Sequence, residues 1–533
     1  MTPPPRPVQR PAVRLAALPP AWLACLLWAG SAGVAFGQAP GPAPAAPSAA
    51  ATNPAPAAPA DAASAPQRVQ ITGERGSDTE QRRRSTAAKI IIGREQIEQY
   101  GDATIGDVLR RLSGVGTGGR PGRGGAPRMR GLGGGYTQLL IDGERIPGGF
   151  ALESLTPDQV ERIEILRAPT AETGARAVAG TINIVTREGF QRRLHELRMG
   201  LSLEQGMLTP GAFWTHNDGA GPLTYTLTAG TFRNRRRNDE TVRTTVEDPD
   251  GSGILTGDRV ETVRRDDTRT GLNLGARLQW RLGEGGDSLV LHPTLFHQAR
   301  QGDSMATLDQ ALPAAPPAYE LATGRSEGRF TSGRLNLQWR QRLADGWRGE
   351  ASGYLGEWRS AGDSLRQEFG GGEATPRRTV DDRSDTRERT VKLGGKLTAL
   401  LGDESRPGAE LNLVTGAEVE ALRRHDTRTL RQDGVPLLTD FGDELQARST
   451  RWAAYVQNEW SINPRWAAHA GLRWEGIVTV GDPGDGSRPS HRSSVWTPLL
   501  HAVFKPDPKG RDQVRMSLTR SYKSPSLGAL IAR

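Results

Sequence analysis

From residue 190 onward the chain alternates apolar and polar side chains with a period of two. Leu223, Tyr225, Leu227 and Ala229 fall on one face and the threonines between them on the other. The same period returns in Leu272, Leu274, Ala276, Leu278 and Trp280, and in Trp452, Ala454, Val456, Asn458 and Trp460. Such a repeat predicts strands with one apolar face. Short turn signals at "NDGAGP", "GEGGD", "ADG", "GDESRPG", "NP" and "PDPKGRD" alternate with charged excursions, residues 233–268 and 362–388 among them. Short turns at one end and long polar loops at the other predict an antiparallel transmembrane β-barrel of about thirteen strands. Trp339, Trp347, Trp358 and Trp466 fall where an interfacial girdle is expected.

Residues 85–189 read differently, as a compact α+β domain. "TAAKIII" predicts a strand and "GREQIEQY" a short helix. In "TIGDVLRRLS", Ile105, Val108, Leu109 and Leu112 share one helical face, Thr104 and Asp107 can form a capping box, and Gly114 stands at the C-cap. "TQLLI" runs into Asp142-Gly143, a two-residue hairpin signal, and returns through "ERIP". Thr156-Pro157 opens a helical turn in "TPDQVERI", and "IEIL" and "GTINIVTRE" read as strands. Gly114-x-Gly116-x-x-Gly119 imitates a dinucleotide fingerprint. That motif needs a strand before it and a helix after it, and here a helix comes first.

Composition bears on compartment and chemistry. Of 533 residues 36% are hydrophobic, 66 are glycine, and the formal charge is +9. Arg6, Arg10 and Arg14 precede an apolar run from Trp22 to Phe36, with small residues before Gln38. Residues 1–37 therefore read as a signal peptide, a short membrane anchor being the alternative. The sole cysteine, Cys25, lies inside it, so the exported chain has neither disulfide nor thiolate chemistry. Export, and arginines interspersed with acids as in "RNRRRNDETVR", argue against nucleic acid; the surplus charge suits anions or lipopolysaccharide. Residues 38–67 are an Ala/Pro-rich tether, and 68–84 carry the strand-prone island "RVQITGER" and a polar run. No G-x-S-x-G elbow, Walker loop or H-E-x-x-H is present. His292 and His297 would face opposite sides of a strand. No enzyme activity, cofactor or metal site is expected.

Three fragments in order, "DVLRRLSGV", "MRGLGGGYTQLLIDGERIP" and "VERIEILRAPTAETGARAVAGTINIVTRE", resemble the plug of TonB-dependent outer-membrane receptors. "RWAAYVQNEWSINPRWAAHAGLRWEG" and "RMSLTRSYKSPSLGAL" resemble that family's barrel strands. The resemblance implies a plug at 85–189 inside a barrel formed from 190–533, which a plugged transporter builds from about 22 strands. The barrel is accordingly expected to be partial. It also implies uptake of a scarce ligand, a ferric siderophore first, driven by TonB and its inner-membrane complex. Val69, Gln70, Ile71, Thr72 and Gly73 take the place of the TonB box, adding a strand to the partner. Arg130 and Gly131 begin an Arg-Gly plug motif. Glu161, Arg162, Glu164 and Arg167 are candidates to meet barrel charges, ordinary solvated strand charges being the other reading. Asp142 and Gly143 read as a turn and Asn183 as structural, and Gly180 is a further plug-motif position. Residues 116–135 would form an apical loop in which glycine permits close backbone approach. Arg120, Arg123 and Arg128 would there attract an anionic metal chelate. A truncated or non-transporting surface receptor, or a transporter of cobalamin or carbohydrate, is the competing expectation.

Overall fold

The computed structural model describes residues 89–99, 105–117, 127–132, 136–141, 144–145, 152, 157, 160–174, 176, 178–186, 193–248, 253–283, 286–313, 316–402, 410–437, 444–482, 488–507, 510 and 512–522. The expected signal peptide, tether and TonB-box island lie outside them.

Strand β1 (Lys89–Gly93) leads into helix α1 (Arg94–Glu98) and, after a break, helix α2 (Ile105–Arg111). Short strands β2 (Val115–Thr117), β3 (Pro127–Met129), β4 (Thr137–Ile141) and β5 (Glu144–Arg145) follow, then β6 (Val160–Leu166) and β7 (Gly180–Thr186). Five of these form a sheet in the order β1-β6-β7-β4-β5. Its β4–β7 pair is parallel and its other pairs antiparallel. The helical stripe read from the sequence supplies the core: Ile105, Val108 and Leu109 pack with Ile97, Ile163, Ile165, Ile182 and Ile184, and Leu112 lies at the margin. Gly114 takes φ +82° three residues beyond α2. A helix before β2, where the fingerprint would need a strand, removes the dinucleotide reading. The β4–β5 pairing, Ile141 opposite Glu144, leaves a two-residue connection at Asp142-Gly143.

The helical turn expected in "TPDQVERI" does not reach its second half. Val160, Ile163 and Ile165 are buried while Glu161, Arg162 and Glu164 are half-buried, as residues of β6. A register shift between Val160 and Arg162 absorbs one residue, so the apolar positions no longer alternate strictly and resemble helical spacing.

The second sheet begins with β8 (Leu194–Glu204), β9 (Met207–Ala220), β10 (Leu223–Glu247), β11 (Leu255–Arg281), β12 (Ser288–Leu312), β13 (Leu321–Ala344) and β14 (Trp347–Phe369). It continues through β15 (Arg378–Gly402), β16 (Glu410–Gln432), the two-residue β17 (Val435–Pro436), β18 (Glu444–Asn463), β19 (Trp466–Asp482), β20 (Ser490–Phe504) and β21 (Val514–Thr519). Thirteen strands pair antiparallel with their sequence neighbours from β8 to β21, with β17 off the path on β16. All six expected short turns join strands at one end of the sheet. A further tight turn, Gln205-Gly206, joins β8 to β9 at the opposite end, carries positive φ at both residues and was not legible as "LEQGM".

The faces are inverted relative to a soluble sandwich. On β18 the apolar row Trp452, Ala454 and Val456 is exposed, while Arg451, Ala453 and Tyr455 are buried on the opposite face. Leu272, Leu274, Leu337, Leu355, Leu393 and Leu472 are likewise exposed. Apolar outside and polar inside is the arrangement of a sheet that meets lipid and encloses a wet lumen. Trp347 and Trp466 stand exposed at strand starts, as a girdle requires. Trp358 does not. It points inward, packs with Phe296 and Phe330, and donates from its indole N–H to Glu388 at 3.0 Å.

The charged excursions at 233–268 and 362–388 are for the most part strand rather than loop. β10, at 25 residues and roughly 3.3 Å each, runs about 80 Å. Even tilted by about 45° it stands far beyond an apolar band of about 25 Å. Cross-strand pairs hold the extension together: Arg237–Asp266 and Arg264–Asp239 are direct neighbours in register, and Arg243–Asp258 is a diagonal pair two residues offset. Opposite charges face to face replace apolar pairs as the adhesive of a water-exposed ribbon.

Candidate functional site

Between β6 and β7 the segment Ala168–Arg176 leaves the plug sheet and reaches the barrel wall. A local turn shapes it: the Thr170 amide donates to Thr173 Oγ1, the Thr173 amide to Thr170 Oγ1, and the Gly174 amide to the Thr170 carbonyl, at 3.0–3.1 Å. Gly174 has φ +76°, and a Cβ there would lie 3.3 Å from Glu475 Oε1, so both backbone and space call for glycine. Ala171 at the apex is fully buried with Val414, Tyr455 and Leu499 of the wall.

Charges surround this apex. Arg176 Nε donates to Glu475 Oε2 at 2.9 Å, and Arg473 Nε donates to Glu475 Oε1 at 2.6 Å. Tyr522 OH also donates to Glu475. Arg473 reaches back to the plug, Nη1 donating to the Ala171 carbonyl at 3.1 Å, while its Nη2 lies 3.4 Å from Glu418. Arg451 completes the cluster with Glu420 at 2.6 Å and Glu475 at 3.6 Å, the latter an ion-pair distance too long for a hydrogen bond. Three arginines and three glutamates thus balance in a space where the Glu475 side chain is 1% exposed and that of Arg176 9%. A second contact flanks it: Lys396 bridges Glu172 of the plug and Glu350 of the wall at 3.0 and 2.9 Å. Further along, His501 Nε2 meets the Pro169 carbonyl at 3.0 Å and Gln457 accepts from the Glu172 amide at 3.2 Å.

Burial is the largest influence on the Arg176 guanidinium and disfavours its charge, yet Glu475 and Glu420 outweigh it and raise its pKa. A charge held this way is stable only while its partner stays. The arrangement can hold a plug against a wall with polar contacts that water is able to replace. An apolar seal could not be released so locally.

The residues singled out from sequence mostly lie elsewhere. Glu164 pairs with Lys89 at 3.1 Å and Arg162 at 2.8 Å and accepts from Asn183 at 3.5 Å, all within the plug sheet. Desolvation alone would raise its pKa, but Lys89 and Arg162 prevail and lower it. Because β1 places Lys89 beside it, Glu164 finds its ion-pair partners, Lys89 and Arg162, inside the plug sheet. Arg130, at φ +55°, donates to the Arg167 carbonyl at 2.7 Å; Gly131 follows at φ +67°. Arg167 is exposed and Glu161 half-buried. Gly180 has φ +130°, and a Cβ there would fall 2.6 Å from the Leu166 carbonyl oxygen. Arg128 is exposed on β3. Arg120, Arg123, Asp142, Gly143 and Val69–Gly73 lie outside the described residues.

Arg176, Glu418, Glu420, Arg451, Arg473 and Glu475 were not found from sequence. A signal existed: Glu418-x-Glu420 and Arg473-x-Glu475 place charges two apart, on one face of strands whose other face is apolar. A lumen-facing cluster must look like that.

A polar-lined sheet with an α+β domain latched to its inner face defines a plugged outer-membrane barrel. Comparison with known proteins places it further. Residues 81–181 match the family model described as TonB-dependent Receptor Plug Domain, and 292–533 that described as TonB dependent receptor-like, beta-barrel. The chain belongs to the TonB-dependent receptors, a family of non-enzymatic outer-membrane β-barrel proteins. Vitamin B12 transporter BtuB of Vibrio vulnificus (strain CMCP6) is 31% identical over 106 residues, 19% of this chain and 18% of that relative. The fold is similar to that of the siderophore receptor PiuA from Acinetobacter baumannii, with a TM-score of 0.53, 15% identity, and coverage of 84% of this chain and 66% of that one. It is also similar to the ferric-catecholate import receptor Fiu from K12 E. coli, with a TM-score of 0.53, 14% identity, and coverage of 82% and 66%. The likeness therefore spans under a fifth of the curated relative and just under two thirds of each solved chain.

Proposed function

We propose that this chain takes up a scarce ligand across the outer membrane, the plug being displaced when TonB, energised by its inner-membrane complex, pulls on Val69–Gly73. In this reading residues 1–37 export the chain, 38–67 tether the box, 68–84 present it, 85–189 form the plug and 190–533 the barrel. The observation that carries the reading is the buried Arg176–Glu475 pair between plug and wall. A buried polar contact of this kind is poor cement, since ion pairs buried at such cost stabilise little over apolar packing. It is well suited to a contact that must open and re-form.

The proposed ligand is an anionic metal chelate, a ferric siderophore first, drawn by Arg120, Arg123 and Arg128. The relative that transports vitamin B12 supports cobalamin as the second ligand to test. Growth of a deletion strain carrying the chain, on iron-siderophore, cobalamin and sugar sources in turn, identifies the ligand.

Coupling is tested by pinning the plug. A Cβ at Gly471 would lie 3.0 Å from that of Ala171, so Ala171→Cys with Gly471→Cys needs only a small relaxation to form a disulfide. Oxidation should abolish uptake and leave ligand binding intact, and reductant should restore uptake. Deleting 69–73 should have the same effect without any rescue. Uptake by the oxidised chain would show that transport does not need this contact to open, and ligand binding without uptake even after reduction would favour a non-transporting surface receptor.

A further inference from the structure

The outward face of the sheet changes character abruptly at one height. Leu355 of β14, Val391 of β15, Ala421 of β16 and Thr450 of β18 are register neighbours in one row, and Leu393, Val419 and Trp452 form the row beneath. Two residues further toward the long connections, the next row reads Glu357, Arg389, Arg423, Arg448, and the one after it Arg359, Arg387, His425, Gln446. Alternation fixes these residues outward: Glu388 and Arg424 between them turn inward to Trp358, and Arg451 turns inward to Glu420. The two rows therefore bring five arginines and a single carboxylate to the face that continues the lipid-facing band.

Three of the five are accounted for. Arg387 and Arg389 share Glu357 at 2.6 and 2.7 Å, and Arg359 pairs with Asp385 of the following row at 2.6 Å. Arg423 and Arg448 sit directly opposite each other, both exposed, with no ion pair or hydrogen bond among the described residues. Like charges directly opposite on neighbouring strands are destabilising, and Arg389 adjoins the same pair in register. Such an array is relieved by an anion able to accept several forked donors, and phosphate fits that geometry.

We infer that Arg423 and Arg448, supported by Arg389, bind the phosphorylated headgroup of a lipid in the outer leaflet. The row lies two residues, roughly 7 Å, beyond Val391 and Ala421. A phosphate held there leaves its acyl chains against Leu393, Val419 and Trp452, whereas a free anion would gain nothing from that apolar floor. The sheet's long connections mark this end as the cell exterior. The site is independent of the plug latch.

The test uses the full chain in detergent micelles with bisphosphorylated lipid A as probe, retained lipid being counted by native mass spectrometry. Retention should exceed that of dephosphorylated lipid A with the same acyl chains by at least about tenfold. This comparison needs no variant. Arg423→Gln with Arg448→Gln should lower retention to the dephosphorylated level, while Arg325→Gln, an outward arginine of β13 already paired with Glu327, should not change it. Inorganic phosphate in excess should fail to displace the lipid. Equal retention of the dephosphorylated lipid, full retention by the double variant, or displacement by inorganic phosphate would each overturn the assignment.

Discussion

Replacing Glu475 by glutamine removes the charge on which three donors converge while keeping the side chain's volume. Arg176 Nε at 2.9 Å loses its ionic partner in a space where its side chain is 9% exposed. Arg473 is less affected, because Glu418 remains 3.4 Å from its Nη2. Removing one partner of a buried pair costs about 3–5 kcal/mol, most of it the desolvation of the charge left behind. The plug segment regains water for Arg176 by leaving the wall, so the cost is expressed as local opening. At about 1.4 kcal/mol per decade the opened population should rise by roughly two to four orders of magnitude. Hydrogen exchange reads this directly: the Glu172 amide, which donates to Gln457, should exchange faster by that factor, while amides in the middle of β12 and β13 should not change. Arg176→Met combined with Glu475→Gln should recover much of the loss, since no uncompensated plug charge remains. Unaltered exchange at Glu172 in Glu475→Gln, or single-variant effects that simply add in the double variant, would refute the latch.

Other outcomes follow from the same geometry. Glu164 has a pKa below its ordinary value near 4.5, so its contribution to stability is present above that value and is lost as pH falls through the lower, folded one. Glu164→Gln should therefore flatten the acid limb of plug unfolding followed by hydrogen exchange against pH, the variant being less stable by a constant amount above about pH 6 and converging with the parent chain in acid. Gly180→Ala places a Cβ 2.6 Å from the Leu166 carbonyl at φ +130° and should cost at least about 1–3 kcal/mol in denaturant titration of the plug. Leu274→Arg on the exposed apolar row should cost about 2–4 kcal/mol for folding into bilayers, measured by urea titration in vesicles. Oxidation of the Ala171→Cys/Gly471→Cys pair should block uptake reversibly, scored by transport with and without reductant.

How far the sequence reached can be followed along two strands. For β18, "RWAAYVQNEWSIN" gave the strand, its apolar face and its turn, because period-two alternation is a local property. It did not say whether Trp452 faced a core or a bilayer; the alternation is identical in a sandwich, and the asymmetry of the connections made that choice. For β10, the same alternation persisted through "RNRRRNDETVR" but was concealed, since charged residues on both faces resemble a loop until the partner strand supplies Asp266, Asp258 and Arg264. The helix α2 was legible from Ile105, Val108 and Leu109 alone, while the start of β6 was masked by a bulge.

The candidate site divides in the same way. The sequence by itself determined a plug-like globule, an alternating sheet and their family, each recorded in spacings of a few residues. It marked Arg162 and Glu164 as notable charges but could not tell whether their partners lay in the plug or in the wall. Only the tertiary structure decided that Lys89 stands beside Glu164, and that Arg176 meets Glu475 across 299 residues of chain. An ion pair's worth depends on distance and exclusion of water, and neither is a property of one segment. The Arg423–Arg448 row arises likewise from register, which fixes which strand positions face each other and whether a row of arginines points at lipid or lumen.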